Sequence, residues 1–307
     1  MYFSAKEILA QLEGTDKRIC DLVIQNETEL FETPYDKIME MLEERYQIMY
    51  NSAHDALEKE IRSLSGLTGG SARKMWDYYK KGSMICDGTI IRGAAYALSC
   101  LEVNASMGLI VAAPTAGACG ILPGCLLTVA EKHDIPHQQV LEALATASGI
   151  GQLIVKKATV SGAEGGCQAE CGSAAAMAAG AVVEMLGGTP AQAFDAAAIA
   201  MQNIMGLVCD PVAGLVEMPC AQRNASGVAN ALVSADLALS GIFSEIPFDE
   251  VVEAMYMVGK ALPSTLRETA LGGVATTPTA LAMKEKIYGK GAAESACSGD
   301  CASCGLC

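Results

Sequence analysis

The stretch EGGCQAECGSAAAMAAG spans residues 164–180 and joins a glycine-bearing bend to a run of small apolar residues. Alanine and methionine favour a helix over 170–186, and side chains this small let neighbouring helices approach closely. The whole chain of 307 residues has the same character, with 51% hydrophobic and only 5% aromatic residues. Helical spacing recurs throughout, while strand alternation is nearly absent. We therefore predict an all-α, multi-helix fold.

Helix starts are marked by threonine followed by proline, as at Thr33-Pro34 before Asp36. The apolar residues that follow form one stripe of a long helix, at Ile38, Leu42, Tyr46, Met49, Ala53 and Leu57. The same start signal precedes Pro190 and Pro278. Besides 170–186, we predict helices at 72–81, 88–101, 123–132, 137–148, 190–205, 226–242, 248–260 and 278–288.

Composition changes at two places along the chain. A charged N-terminal helical extension, 1–62, gives way to an apolar, Gly/Ala-rich domain, 63–290, and a cysteine-rich tail, 291–307, follows. The uncharged span from Val103 to Ala130 is interrupted by APTAG, ACG and LPG, so we expect a buried core segment with a turn and not a membrane helix.

Charge and cysteine content limit the classes of partner. The net charge is −14, which disfavours nucleic acid and anionic membranes because both need a cationic face. No Lys or Arg occurs from Ala158 to Gln222, so this stretch is expected to be mostly interior. The N-terminus lacks the apolar run of a signal peptide. Thirteen cysteines in a chain expected to be cytoplasmic indicate reduced thiols with metal-binding or reactive roles.

Three cysteines lie in segments that contain glycine or proline: Cys167 in EGGCQ, Cys209 in GLVCDP and Cys220 in EMPCAQR. Bends of this kind predict thiols held in loops as the three protein ligands of a catalytic metal, with one position left for substrate. Their spacing fits neither a zinc finger nor a compact ferredoxin run. Buried free cysteines that act as small hydrophobic residues are the alternative.

Four segments carry a resemblance to a known family: SGLTGGSA (65–72), APTAGACGILPG (113–124), EGGCQAECGSAAAMAAG (164–180) and GLVCDPVAGLVEMPCAQRNA (206–225). From about residue 60 to 290 the chain resembles the α chain of iron–sulfur-dependent L-serine dehydratase. The resemblance implies deamination of L-serine to pyruvate and ammonia by an oxygen-sensitive [4Fe–4S] cluster, without pyridoxal phosphate. By matching motif, Cys167, Cys209 and Cys220 would hold the cluster on Gly/Pro-rich loops of the catalytic domain.

Such a centre suits the reaction. Loss of water from serine requires hydroxide to leave Cβ and a proton to leave Cα. An iron with an open coordination position is a Lewis acid that can bind the serine hydroxyl and stabilise its departure.

Two small-residue loops are candidates for substrate binding. Backbone amides and the hydroxyls of SGLTGG and APTAGACG could surround a carboxylate, and the resemblance favours that role over ordinary helix-connecting turns. The residues that we assign to substrate binding are Ser65, Thr68, Gly69, Thr115, Gly117 and Arg223. Arg223 has two alternative roles: it could neutralise the charge of the cluster, or it could form an ion pair with Asp210 or Glu217.

The chain offers no convincing base. His54, His133 and His137 lie in settings typical of a surface. In the family, a β chain or a fused domain supplies further active-site groups, including a histidine in a Ser-His-Thr type motif that is absent here. We therefore expect a partner β subunit to carry the base.

The sequence leaves the roles of several other cysteines open. Cys171 lies one helical turn after Cys167 and is either a competing ligand or a core residue. Cys119 and Cys125 are expected to pack in the core. The tail carries Cys297, Cys301, Cys304 and Cys307. These cysteines could bind a second cluster, help to deliver iron, or cap the open iron. In the last case Cys307 is a candidate fourth ligand.

Two other functions compete with serine deamination. One is a related β-elimination, such as cysteine desulfidation, which would release sulfide. The other is a non-catalytic Fe–S redox or sensor protein, although electron carriers normally saturate the cluster with four protein ligands.

Overall fold

The computed structural model describes residues 4–289, and within that range the chain is helical. No strand occurs there, only isolated backbone bridges that join Arg62 to Gly69 and Cys209 to Arg267. The prediction of an all-α fold is therefore confirmed. The helices are α1 (Ala5–Leu12), α2 (Ile19–Phe31), α3 (Tyr35–Glu58), α4 (Ser71–Lys80), α5 (Gly88–Ala105), α6 (Ile121–His133), α7 (His137–Lys157), α8 (Gly162–Gly165), α9 (Ser173–Met185), α10 (Pro190–Gln202), α11 (Cys220–Leu239), α12 (Phe248–Ala261) and α13 (Pro278–Tyr288).

Helix α9 is the centre of the bundle, and all its residues are buried. It packs against α6, α7, α10 and α11. At Gly180 a Cβ atom would lie 2.3 Å from Cδ1 of Ile150 in α7 and 2.9 Å from the carbonyl oxygen of Ala193 in α10. Only a residue without a side chain allows both helices this close, so the small-residue run of α9 does place neighbouring helices in close contact.

The N-terminal helices pack into the same core. Ile8 of α1 and Ile19 of α2 belong to the main hydrophobic cluster, together with α9. The buried carboxylate of Glu184 accepts hydrogen bonds from the backbone amides of Ile19 (2.6 Å) and Cys20 (3.1 Å) at the start of α2. Residues 1–62 are thus joined to the bundle through their described part, while the predicted domain boundaries remain predictions and the tail 291–307 lies outside the described residues.

Two of the three threonine–proline helix starts are capped as predicted. The Thr189 hydroxyl accepts from the amide of Gln192 (3.2 Å), and Thr277 does the same for Ala280 (3.4 Å). Thr33 makes no cap: Pro34 occupies the cap position of α3 and the Thr33 hydroxyl donates to the carbonyl of Phe31. The predicted apolar stripe of α3 is buried at four of its six positions: Ile38, Met49, Ala53 and Leu57.

The uncharged span 103–130 is interrupted as expected. Helix α5 ends at Ala105, a non-helical stretch includes a short 3₁₀ turn at Ala116–Ala118, and α6 begins at Ile121. Among the described residues, no helix combines the length and apolarity that crossing a bilayer would require. Residues 117–129 are buried as expected, but Met107 is 79% and Leu109 71% exposed, so the expectation of a buried segment is wrong for residues 107–109. Residues 113–120 lead to the site described next.

Candidate active site

Cys167 and Cys171 face each other across one turn of π-helix. The turn, Gln168–Gly172, leads directly into α9, and the two sulfur atoms lie 3.4 Å apart. Both side chains are almost completely buried. Cys171 is therefore a core residue, as part of the main hydrophobic cluster, and also a neighbour of Cys167, while its role as a competing ligand remains a prediction.

Cys209 is held in an extended segment by backbone hydrogen bonds on both sides. Its amide donates to the carbonyl of Leu266 (2.9 Å), and its carbonyl accepts from the amide of Glu268 (2.7 Å). Its sulfur lies 3.9 Å from Oε2 of Glu170, beside the π-helical turn. The loop position predicted for Cys209 is confirmed, but it depends on the distant segment 264–268.

Cys220 is the first residue of α11, which begins six residues before the predicted start at 226. The expectation that this cysteine lies in a loop is therefore wrong. The first turn is stabilised by the fully buried amide of Asn224, which donates to the carbonyls of Cys220 (2.9 Å) and Gly117 (2.7 Å) and accepts from the amide of Gly120 (3.0 Å). These contacts join Cys220 to the APTAG loop.

Electrostatics distinguish one thiol from the others. Hydrogen bonds from Cys171 and Cys209, with the nearby charge of Arg223, hold the pKa of Cys167 well below its usual range. The pKa values of Cys171 and Cys209 are raised, mainly because both donate to Cys167 and both are buried. Burial, with the charges of Cys167 and Glu170, raises the pKa of Cys220 to about 12. The four thiols thus form one electrostatically linked group with a single favoured thiolate.

Glu170 places a carboxyl group next to these thiols. Burial, followed by the charge of Cys167, raises its pKa to about 7. Its Oε1 accepts from the hydroxyl of Thr115 (2.9 Å). A Cβ atom at Gly117 would lie 3.1 Å from Oε1, so this loop approaches Glu170 through a glycine. Thr115 and Gly117 therefore reach the thiol group, although their predicted role toward substrate remains a prediction.

Arg223 is bonded within the chain. Its Nη1 donates to the carbonyl of Val208 (2.8 Å) and its Nη2 to Oδ1 of Asp210 (2.8 Å). Of the options that the sequence leaves open, the bridge to Asp210 is present, and proximity to the Cys167 thiolate is compatible with charge neutralisation. A contact between Arg223 and a substrate carboxylate remains a prediction.

The SGLTGG loop is bound to the segment before Cys220. The hydroxyls of Ser65 and Thr68 each donate to one carboxylate oxygen of Glu217, both at 2.7 Å. Gly69 has a φ of 148°, and a Cβ there would lie 2.6 Å from the carbonyl oxygen of Ile61. Ser65 and Thr68 thus meet at Glu217, which the sequence suggested only as a partner for Arg223, whereas Gly69 packs against Ile61 and Arg62.

Gln168 is a positioning residue that the sequence reading missed. Its fully buried amide donates to the carbonyls of Gly165 (2.9 Å) and Met255 (3.0 Å) and accepts from the amide of Gly206 (2.8 Å). It therefore connects the segments that carry Cys167 and Cys209. Its position directly after the candidate ligand Cys167 is the only signal in the sequence.

The remaining candidates lie elsewhere. His137 is exposed and pairs with Glu43 at 2.5 Å, His133 is exposed, and His54 stacks on Tyr50. Cys119 and Cys125 are buried, as predicted. Cys297, Cys301, Cys304 and Cys307 lie outside the described residues. Across residues 4–289, no three or more His, Cys, Asp or Glu side chains converge as ligands of a single metal ion.

Fold and site together define a helical-bundle protein with a buried thiol group at the junction of three chain segments. A family model described as "Serine dehydratase alpha chain" matches residues 14–275. The chain belongs to this serine dehydratase alpha chain family.

Its similarity to individual relatives extends over most of its length. It is 46% identical to the L-serine dehydratase alpha chain of Peptoniphilus asaccharolyticus, over 95% of this chain and 100% of the relative. It is 44% identical to a probable L-serine dehydratase alpha chain of Bacillus subtilis, over 94% and 96% of the two chains. It is also 35% identical to an L-serine dehydratase of Helicobacter pylori, over 90% of this chain but only 62% of that longer protein.

Proposed function

We propose that this chain is the α subunit of a cytoplasmic, iron–sulfur-dependent L-serine dehydratase that converts L-serine to pyruvate and ammonia. The observation that carries the proposal is the convergence of Cys167, Cys209 and Cys220 on one buried group of thiols in a member of this family. The names of its relatives supply the substrate.

The donor set fits a [4Fe–4S] cluster better than a single ion. Fe–S clusters are held by cysteine thiolates. Because each thiolate binds a different iron of a cluster, the sulfur atoms need not converge on one point, and the lack of a single-ion geometry among the described residues does not conflict with the proposal. When bound, the cluster would supply a Lewis-acidic iron for the serine hydroxyl.

The chain's own side chains prepare the site. Arg223 places positive charge beside the Cys167 thiolate, which offsets part of the negative charge of a thiolate-rich centre. Gln168 and Asn224 fix the backbone on either side of the thiols. Thr115 holds the carboxyl of Glu170 against the thiol group. Burial of all three proposed ligands excludes bulk water.

A partner subunit would complete the site. Several relatives are named alpha chains, and the longer Helicobacter protein contains sequence beyond the region that this chain matches. No described contact of the three histidines involves the thiol group within residues 4–289. We therefore assign the proton-transfer group for Cα to a β subunit.

The test is an anaerobic comparison of single-cysteine variants. Replacement of Cys167, Cys209 or Cys220 with alanine should abolish bound iron and sulfide, whereas Cys125→Ala, a buried thiol next to the Val228 carbonyl, should retain them. L-Serine should change the EPR spectrum of the wild-type cluster and yield pyruvate with ammonia. Turnover by protein that contains neither iron nor sulfide would refute the proposal, and sulfide release from cysteine in place of serine turnover would redirect it.

A further inference from the structure

We infer that Glu217, with Ser65 and Thr68, forms a subsite for the ammonium group of the amino-acid substrate. The inference rests on the proposed function and assigns one part of the substrate to one part of the site. It differs from the role expected from the sequence, in which the SGLTGG loop would surround a carboxylate.

The hydroxyl groups of the loop point their protons at Glu217. Ser65 Oγ donates to Oε1 and Thr68 Oγ1 donates to Oε2, each at 2.7 Å. A hydroxyl has one proton and two lone pairs, so a hydroxyl that donates to a carboxylate offers only acceptor capacity to any other ligand. The half-buried Thr68 oxygen and the carboxylate itself therefore attract donors and repel anions.

Three consecutive backbone amides of the loop are also engaged. Gly66 donates to the carbonyl of Ser63 (3.1 Å), Leu67 to Ser65 Oγ (3.0 Å) and Thr68 to Ser63 Oγ (3.3 Å). A carboxylate ligand needs free N–H or O–H donors, and these three amides and two hydroxyls are all used within the chain. The segment from Gly66 to Thr68 therefore has no free donor for an anion and presents acceptors.

Glu217 differs from the other buried carboxylates among residues 4–289. Glu102 and Glu184 each receive two backbone amides at the start of a helix, α4 and α2, and Asp210 pairs with Arg223. Glu217 is only 6% exposed, yet it has hydroxyl partners alone and no ion pair with any described cation. A buried carboxylate without a compensating positive charge is costly, so this site calls for a cationic ligand.

The position of Glu217 suits a substrate that also reaches the thiol group. It precedes Cys220 by three residues, and its carbonyl accepts from the amide of Ala221 in the first turn of α11 (3.0 Å). Its neighbour Val216 contacts Gly117, the glycine that also approaches Glu170. Backbone contacts thus join the segment of Glu217 to Cys220 and to the loop beside Glu170, as a substrate held by both the carboxylate and the thiol site would require.

The experiment compares two ligands that differ only in the group at Cα. L-Serine carries an ammonium group, and L-glycerate carries a hydroxyl in its place. Dissociation constants for both are taken from anaerobic rapid-mixing spectra, recorded before L-serine turns over, on the assembled wild-type enzyme and on Glu217→Gln. We expect Glu217→Gln to weaken L-serine binding by about 10- to 100-fold, because a charge-assisted contact is lost, and to leave L-glycerate binding unchanged or tighter.

Glu184→Gln is the matched control, because Glu184 is equally buried and contacts α2 and α7 rather than the thiol group. It should lower stability without changing the ratio of the two dissociation constants. If Glu217→Gln does not fold, Thr68→Val provides the second test, and it should weaken L-serine binding selectively as well.

The possible results separate the two proposals. Equal losses for both ligands in Glu217→Gln, or a lower unfolding midpoint with an unchanged ratio, would overturn the ammonium subsite and leave Glu217 as a structural clamp. Failure of the wild-type enzyme to bind or convert L-serine would overturn the proposed function, and the subsite with it.

Discussion

Nη2 of Arg223 lies 2.8 Å from Oδ1 of Asp210, and the two side chains expose only 17% and 3% of their surface. The same guanidinium donates to the carbonyl of Val208, so it fastens the chain on both sides of Cys209. Removal of one partner from a buried pair leaves the other charge uncompensated. We expect Arg223→Met to lower the free energy of unfolding by about 3 kcal/mol and to reduce bound iron.

Anaerobic urea denaturation and iron analysis measure both effects of the Arg223 substitution. Arg18→Met is the control. Arg18 also pairs with a carboxylate, Glu142, but its own side chain is 42% exposed. Such a pair contributes at most about 1 kcal/mol. Equal losses in the two variants would show that Arg223 has no special role in holding Cys209.

Gln168→Leu should destabilise the protein strongly, because this one side chain makes three buried hydrogen bonds. The substitution leaves the amide of Gly206 and the carbonyls of Gly165 and Met255 without their buried partner. Unpaired buried groups cost about 1–3 kcal/mol each, so we expect the free energy of unfolding to fall by at least about 2 kcal/mol. We also expect the cluster to be lost faster in air, which its absorbance measures. In Gln202→Leu, where an exposed contact to Ser244 is lost, both quantities should stay near wild type.

Gly162→Ala should disrupt the thiol group directly. Its Cβ atom would lie 2.7 Å from Oε2 of Glu170, closer than real contacts allow, and 3.0 Å from Sγ of Cys209, which is also tight. Bound iron and serine turnover should both fall. Gly172→Ala is the control, because its Cβ would meet Ile204 at an ordinary 3.6 Å. Normal iron content in Gly162→Ala would mean that the site relaxes around a methyl group.

Glu102→Gln should reduce the pH dependence of stability. Burial raises the pKa of Glu102 above its ordinary value of 4.5. The folded state therefore holds this proton more tightly than the unfolded state, and the contribution to stability is lost as pH rises from about 4.5 through the folded pKa. Glutamine keeps an acceptor for the amides of Ser71 and Ala72 but does not titrate.

Urea midpoints at about pH 5.5 and about pH 8 measure this effect of Glu102. Across that interval the wild-type protein should lose more stability, or gain less, than Glu102→Gln. Parallel changes in the two proteins would contradict the assignment.

Local sequence signals predicted the fold class because they act over a few residues. The caps at Thr189 and Thr277 and the small-residue run of α9 each determine nearby geometry directly. The start of α11 was predicted too late, since Arg223 and Asn224 lack an apolar pattern. The first turn is instead stabilised by contacts of Asn224 with residues more than 100 positions away.

The candidate site was predictable in its thiols but not in its polar partners. They are marked by Gly166 directly before Cys167, Pro211 two residues after Cys209 and Pro219 directly before Cys220. The partners of Ser65 and Thr68 depend on tertiary packing, because Glu217 follows them by about 150 residues. Whether the hydroxyls of the SGLTGG loop act as donors or as acceptors toward a ligand likewise depends on their partners in the folded chain.

The anchoring of Cys209 by Leu266 and Glu268 has a consequence for biosynthesis. A ribosome must release the chain well past residue 268 before this sulfur can take its place beside Cys167. The early helices can pack during translation, but Cys209 is anchored only after segment 264–268 has emerged. Any prosthetic group that needs all three sulfurs in their final places therefore requires the chain through residue 268 to have emerged.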